Sequence, residues 1–260
     1  MTVQLYAFTC GFVTIPYGFL LKGMKGVLTV PVPAYLMVHP HGRVLFDSGL
    51  HIDSQSDPLG YFGEAGLKYS TFHFHPGEEI SARLAAVGVE ADGVDILVNS
   101  HLHYDHAGGN GQVPNAELVI QTREWRHAKA VADQNLGYLA KDFDLGHRLR
   151  QIDGEHDLFG DGSVVCLPTY GHTPGHQSLR VRTESGGEFI LCGDACYLKE
   201  SLENLHTPGV VADPDQALAV FHRFRDMQSR RPDHVRPRSR FLEIHPPGSG
   251  PAGVGGPGNK

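Results

Sequence analysis

The 260-residue sequence has few cysteines and no long hydrophobic run. Its four cysteines, Cys10, Cys166, Cys192 and Cys196, form no CxxC pair and do not have the spacing of a structural zinc knuckle. A chain of this length needs no disulfide, so we expect small buried thiols. No apolar run approaches the roughly 20 residues that cross a bilayer, and the chain opens on no secretory leader pattern. These features predict a cytoplasmic protein without a membrane partner.

The sequence also lacks an excess of basic residues. Lysine and arginine total 22 against 29 aspartates and glutamates, a formal net charge of −7 at pH 7. Such a chain has no general attraction to nucleic acid, so no nucleic-acid partner is expected. Hydrophobic residues at 40% are typical of a globular chain. We expect one domain over residues 1–245 and a disordered tail over 246–260, which contains six glycines and four prolines.

Short apolar segments alternate with helical ones along the chain. Strands are predicted at 27–38, 43–46, 95–98, 117–121, 164–167, 177–183 and 188–191. Helices are predicted at 78–87 and from Asp213-Pro214 onward, where an N-cap precedes a proline. Pro31 and Pro33 confine the first of these strands to a sheet edge or a bulge. Residues 51–77 show no clear period and are interpreted as a long ordered loop. The alternation predicts an α/β fold of stacked layers.

Histidine is abundant, with 17 residues, and three of them lie within six positions. His101, His103, Asp105 and His106 form an HxHxDH motif directly after the apolar run 95–98. In an extended segment His101 and His103 project to the same side, whereas the adjacent Asp105 and His106 cannot both do so. Imidazoles and carboxylates suit Zn²⁺ and similar ions. The motif therefore predicts a metal site, and two neighbouring ions could share its four ligands.

Two further ligand groups follow later strands. One is Gly171-His172-Thr173-Pro174-Gly175-His176, and the other is Cys192-Gly193-Asp194. A carboxylate between two cations can bridge them with its two oxygens. Asp194 is the candidate for that bridge.

These three motifs together resemble the metallo-β-lactamase superfamily, and within it the N-acyl homoserine lactone lactonases. Residues 101–111, residues 169–179 and the sequence Gly193-Asp194-Ala195-Cys196-Tyr197 are similar to that group's motifs, and the likeness extends over roughly residues 1–228. The resemblance implies a four-layer αβ/βα sandwich, two mixed sheets with helices outside. It also implies hydrolysis of the lactone ring (quorum quenching) by a hydroxide that bridges two divalent ions, most simply Zn²⁺.

By position, the resemblance assigns His101, His103 and His172 to one ion and Asp105 and His106 to the other, with Asp194 bridging. His176 then lies behind the ligands, where it can fix an orientation. Tyr197 is expected to hydrogen-bond the substrate, and Asp105 to return a proton to the leaving alkoxide.

The implied substrate is a small acyl lactone, and its acyl chain needs an apolar groove. Phe19-Leu20-Leu21, Tyr61-Phe62 and Tyr104 are the candidates for that groove. The protein is expected to be a monomer or a homodimer.

The tail departs from the family pattern. Those enzymes complete the second ion with the histidine of a Gly-His-Asp triplet, which is absent here, and only His234 and His245 lie in range. A codon set for residues 230–248 exists that spells the missing triplet one nucleotide out of frame. Our hypothesis is that the chain is frame-shifted after about Ser229, which the nucleotide sequence of the gene can decide.

Three functions remain open from the sequence. The first is the lactonase. The second is another hydrolase on the same scaffold, such as a thioesterase of the glyoxalase II type, with a β-lactamase less favoured because Asp105 adjoins His106. The third is a metal-binding relic that the altered tail has inactivated.

Overall fold

Two β-sheets lie at the centre of the fold. The structure is a computed structural model that describes residues 3–134, 137–184 and 187–230 and the backbone of 235–236 and 252–253. Its strands are β1 (Gln4–Pro16), β2 (Val27–His39), β3 (Gly42–Phe46), β4 (Thr71–His73), β5 (Ile96–Val98), β6 (Glu117–Gln121), β7 (Leu149–Ile152), β8 (His156–Asp157), β9 (Val164–Pro168), β10 (Gln177–Arg182), β11 (Glu188–Leu191), β12 (Val235–Arg236) and β13 (Ala252–Gly253). The first sheet runs β13-β1-β2-β3-β5-β6-β7 with β4 beside β1, and the second runs β12-β11-β10-β9-β8.

The helices flank these sheets. They are α1 (Tyr17–Leu20), α2 (Pro58–Leu67), α3 (Ile80–Ala85), α4 (Tyr104–Ala107), α5 (Thr122–Val131), α6 (Ala140–Phe143), α7 (Lys199–Asn204) and α8 (Pro214–Arg230). Helix α8 begins as predicted, because the Asp213 carboxylate accepts the N–H of Gln216 at 3.0 Å.

Both sheets contain parallel and antiparallel strand pairs. In the first sheet the parallel pairs bring several strand ends, and the side chains that follow them, to the same edge. Strands β1, β2 and β3 pair antiparallel, whereas β3, β5, β6 and β7 pair parallel. The carboxyl ends of β3 and β5 therefore lie side by side, so that the chain leaves both strands at one edge.

Buried apolar side chains fill the space between these elements. The inner faces of the two sheets share one core, with Phe46 and Val98 from the first sheet and Cys166 and Leu179 from the second. Helices α2 and α3 cover the outer face of the first sheet, and α7 and α8 cover that of the second. This arrangement confirms the predicted layered α/β sandwich.

The two prolines of β2 lie opposite a bulge. Strand β2 has partners on both sides, so it is an interior strand. Its register against β1 shifts between the pairs Thr9–Pro33 and Phe12–Pro31, where β1 has one extra residue. Because proline donates no ladder hydrogen bond, the irregular pairing accommodates both rings. The bulge alternative is confirmed, and the edge alternative is wrong.

The segment 51–77 is more regular than the sequence pattern predicts. It contains a short 3₁₀ helix at Ile52–Gln55, helix α2 and strand β4. Asp57 caps α2 by accepting the N–H of Gly60 at 2.8 Å, and Pro58 follows the cap. Gly63, at φ +68°, bends the helix and interrupts its apolar period. The long-loop interpretation is therefore wrong.

The four cysteines are free and buried, as predicted. Within the described residues, no helix combines the length and apolar character needed to cross a membrane. His234 and His245 lie outside the described residues, as does the segment 246–260 apart from the backbone of Ala252–Gly253.

Candidate metal centre

The loop after β5 and helix α4 carry four of the predicted ligands. The loop runs from the end of β5 at Val98 to Tyr104 and holds His101 and His103, whereas Asp105 and His106 lie in α4. The carbonyl of His106 accepts the N–H of Ser48 at 2.8 Å and the amide of Asn99 at 3.0 Å, which fixes the loop to the end of β3. His101 and His106 are fully buried, whereas His103 and Asp105 line a cavity.

Three imidazoles converge on one point. Nε2 of His101 lies 2.9 Å from Nδ1 of His103, and Nε2 of His172 lies 3.2 and 3.3 Å from these two atoms. Nitrogens held at 2.0–2.1 Å around a tetrahedral zinc ion are separated by roughly 3.4 Å. The three nitrogens therefore have nearly the spacing of one face of a tetrahedral metal site.

Asp194 connects this group with His106. Its Oδ1 lies 3.2 Å from Nε2 of His106, while its Oδ2 lies 3.5 Å from Nε2 of His172 and 4.0 Å from Nε2 of His101. Each carboxylate oxygen thus faces a different group of nitrogens, as a bridging ligand requires. Oδ2 of Asp105 lies 3.6 Å from Nε2 of His106.

Two overlapping sets of donor atoms follow from these distances. Among the described residues, the sets whose atoms all lie within 4.8 Å of one another are His101, His103 and His172, and His101, His106 and Asp194. Asp105 belongs to neither set, although it adjoins the second through His106.

The charges of the site suit a cation. Burial and the neighbouring imidazoles lower the pKa of His101 well below its usual value and that of His103 to about 3. Burial also disfavours a proton on His106, but Asp194, Asp105 and Asp47 outweigh it and raise the pKa of His106 well above its usual value. His101 and His103 are therefore neutral imidazoles beside the carboxylate of Asp194, and such groups are the donors that Zn²⁺ and similar divalent ions take. The residues present therefore fit a divalent-metal site.

Asp47 supports the ligands from behind. It follows β3 with a left-handed φ of +59° and is almost completely buried. Its Oδ2 lies 2.9 Å from Nδ1 of His106 and accepts the hydroxyl of Ser100 at 2.9 Å, while Oδ1 accepts the N–H of Ser100 at 2.6 Å. Because a carboxylate only accepts, Nδ1 of His106 carries a proton and Nε2 faces Asp194.

His172 and His176 come from the loop between β9 and β10. His176 is fully buried, and its Nε2 accepts the N–H of Asp194 at 3.1 Å while its Nδ1 lies 2.9 Å from the hydroxyl of Thr169. It contacts the backbone of a predicted ligand without joining the donor atoms. Its predicted role behind the ligands is compatible with this position.

A cavity of about 370 Å³ opens beside the centre. His103, Asp105, His172, Asp194 and Tyr197 line it on the polar side. The hydroxyl of Tyr197 donates to Oδ2 of Asp194 at 3.0 Å and lies 3.3 Å from Nδ1 of His172.

The other wall of the cavity is apolar, and four of the six groove candidates contribute to it. They are Phe19, Leu20, Phe62 and Tyr104. Leu21 is fully buried away from the lining, and Tyr61 instead hydrogen-bonds Asp142, so these two predictions are wrong.

Sequence reasoning missed two buried carboxylates that contact the centre. Asp47 carried a signal, because it ends a strand in the sequence Phe46-Asp47-Ser48-Gly49. Glu124 carried none, and its contacts with both histidine loops come from the tertiary structure alone.

The chain is similar to a known protein family and to several enzymes of that family. Residues 28–235 match the family described as the metallo-beta-lactamase superfamily. The N-acyl homoserine lactonase AttM of Azorhizobium caulinodans is 33% identical over 208 residues, which cover 77% of this chain and 78% of the relative. The N-acyl homoserine lactonase AiiA of Bacillus thuringiensis subsp. kurstaki is 32% identical over 209 residues, with the same coverage.

A solved structure agrees with these relatives. It is an N-acyl homoserine lactone hydrolase with the product N-hexanoyl-L-homoserine bound at its catalytic metal centre. It superposes with a TM-score of 0.84 at 28% identity, over 95% of this chain and 98% of that one.

Proposed function

The chain belongs to the metallo-beta-lactamase superfamily, and we propose that it hydrolyses the lactone ring of N-acyl homoserine lactones. Water adds to the ester carbonyl, the bond to the ring oxygen breaks, and the N-acyl homoserine leaves as an acid that releases one proton. The observation that carries the proposal is the set of histidines and Asp194 converging beside a cavity with an apolar wall. The lactonases to which the chain is similar support the substrate class.

The centre suits two divalent ions, and we propose Zn²⁺. His101, His103 and His172 would hold one ion and Asp105 and His106 the other, and Asp194, which faces both groups, would be shared between them. When bound, such ions make water nucleophilic at neutral pH and polarise the ester carbonyl.

Tyr197 donates a hydrogen bond to the substrate, and Asp105 transfers a proton to the leaving group. The Tyr197 hydroxyl lines the cavity beside Asp194, where it can donate to an oxygen of the lactone. Asp105 also lines the cavity, where its Oδ2 lies 3.6 Å from Nε2 of His106, so it can pass a proton to the leaving alkoxide.

The apolar wall binds the acyl chain. Val13 and Ile15 of β1, Phe19 and Leu20 of α1 and Phe62 of α2 line it. Burial of each methylene there contributes about 0.8 kcal/mol, which favours substrates with an acyl chain over the bare lactone. A cytoplasmic location and a monomeric or homodimeric state stay predictions.

Proton release in a pH-stat tests the proposal. The 260-residue chain is loaded with Zn²⁺ and given N-hexanoyl homoserine lactone. We expect release that a chelator abolishes, that His103→Ala abolishes, and that the exposed control His222→Ala leaves unchanged. Mass spectrometry should identify the ring-opened acid.

The same assay separates the alternatives. A metal-loaded chain that releases no proton from the lactone contradicts the proposal. Hydrolysis of a glutathione thioester in its place would favour the thioesterase, and no turnover of either ester would favour the relic.

A further inference from the structure

Glu124 is a buried carboxylate in the first turn of α5, and all of its hydrogen-bond partners are donors. Its Oε1 accepts the N–H of Leu102 at 3.2 Å and the hydroxyl of Tyr138 at 2.8 Å. Its Oε2 accepts the hydroxyl of Thr173 at 2.7 Å and the N–H of Gly175 at 3.1 Å. The side chain has no exposed surface. Four donors around two oxygens are the arrangement of an ionised carboxylate, whose burial these bonds make tolerable.

Each of these donors lies beside a predicted metal ligand or beside His176, which lies behind the ligands. Leu102 lies between His101 and His103. Thr173 follows His172, and Gly175 precedes His176. The ring of Tyr138 stands 4.6 Å from that of His103, centroid to centroid. Glu124 therefore touches both loops that supply the three converging imidazoles.

The contact with the second loop is close. A Cβ on Gly175 would lie 2.1 Å from the backbone nitrogen of Glu124, so only glycine allows the loop to approach α5 this far. The start of α5 thus serves as a common support on which the two loops meet.

We infer that Glu124 is a positioning residue of the metal centre, and the inference rests on the proposed metal site. It holds the His101–His103 loop and the His172–His176 loop at a fixed separation. The three ring nitrogens therefore already lie 2.9–3.3 Å apart, and binding a cation needs little rearrangement.

Substitution by glutamine tests this role because it keeps the shape of the side chain. The amide retains one acceptor oxygen, but its NH₂ group faces two donors. Glu124→Gln should therefore weaken the affinity for the first Zn²⁺ by roughly 10- to 100-fold, the usual effect of losing such support. Competition with a chelator of known affinity measures it. The visible absorption of bound Co²⁺ should change as the ligand geometry loosens.

Glu117→Gln is the matched control. Glu117 is a buried glutamate on β6 that pairs with Arg148 and Arg150 and touches neither histidine loop. It should leave the Zn²⁺ affinity and the Co²⁺ spectrum unchanged, even where it lowers the stability of the fold.

A second pair of variants covers the case in which Glu124→Gln fails to fold. Thr173→Val removes one donor to Glu124 at constant shape, whereas Thr173→Ser keeps the hydroxyl. We expect a several-fold loss of Zn²⁺ affinity in the first and recovery in the second.

If Glu124→Gln and Thr173→Val both bind Zn²⁺ with wild-type affinity and both give the wild-type Co²⁺ spectrum, the inference is overturned. Because these measurements use no lactone, absent lactone hydrolysis would refute the proposed substrate and leave this result standing. A wild-type chain that binds no Zn²⁺ would refute the metal site and this inference together.

Discussion

The hydroxyl of Tyr197 donates to Oδ2 of Asp194 across 3.0 Å at the wall of the cavity. The same carboxylate presents Oδ1 to His106 at 3.2 Å. Asp194 is thus shared between His106, His172 and the phenol of Tyr197. The donor that can reach a substrate oxygen is therefore held by the carboxylate that we propose as the metal bridge.

Removal of the Tyr197 hydroxyl should affect catalysis more than metal binding. Tyr197→Phe keeps the ring, and the carboxylate of Asp194 retains its contact with His106. Loss of one donor to a developing charge costs roughly 10²-fold in kcat. We expect that loss with little change in KM and no change in Zn²⁺ content. Tyr6→Phe, which removes an exposed hydroxyl on β1, is the control for assay by pH-stat. Equal kcat in the two variants would contradict the role.

Asp47 should affect metal binding by the set His101, His106 and Asp194, because it determines which ring nitrogen of His106 carries the proton. In Asp47→Asn an amide NH₂ can replace Oδ2, so Nδ1 of His106 meets a donor and its proton moves to Nε2, the atom that faces Asp194. Asparagine tolerates the left-handed backbone at this position. We expect the second equivalent of Zn²⁺ to bind roughly 10- to 100-fold more weakly. Isothermal titration measures this, and the exposed Asp53→Asn should bind as wild type does.

The histidine motif predicted the centre because its spacing fixes side-chain direction. His101 and His103 lie two residues apart in an extended segment, and their nitrogens meet at 2.9 Å. Glu124 could not be found this way, since its four partners lie between 14 and 51 residues away in sequence. Helix α2 was missed for a different reason. Its Asp57-Pro58 start resembles the Asp213-Pro214 start that predicted α8, but Gly63 breaks the apolar period that follows.

The apolar wall should set which acyl chains are hydrolysed well. Ala65 lines the cavity from the exposed side of α2, so a larger side chain there fills space without disturbing the core. Ala65→Phe should displace the distal methylenes of a long acyl chain, each worth about 0.8 kcal/mol, and spare short chains. We expect the ratio of kcat/KM for decanoyl over butanoyl lactone to fall by roughly 10-fold. Ala85→Phe, on an exposed face of α3, should leave that ratio unchanged.

Asp142 should make the stability of the fold depend on pH. It is fully buried in α6 and accepts the hydroxyl of Tyr61. Burial raises the pKa of Asp142 to about 7, whereas an aspartate in the unfolded chain titrates near 3.9. Between about pH 4 and about pH 7 the folded chain therefore keeps a proton on Asp142 that the unfolded chain has released. The free energy of unfolding contributed by this group is retained below about pH 4 and falls as the pH rises to about 7, by about 4 kcal/mol in all.

Asp142→Asn removes that dependence, because the amide keeps an acceptor for Tyr61 and carries no charge. The free energy of unfolding of the variant, relative to wild type, should therefore increase between pH 4 and pH 8. Urea unfolding at a series of pH values measures both proteins under the same conditions, so titration of the histidines cancels in the difference. Asp144→Asn, at a half-exposed position two residues on, is the control for replacing a carboxylate in the same segment. A difference for Asp142→Asn that does not change with pH would mean that the buried carboxyl is not the group that titrates.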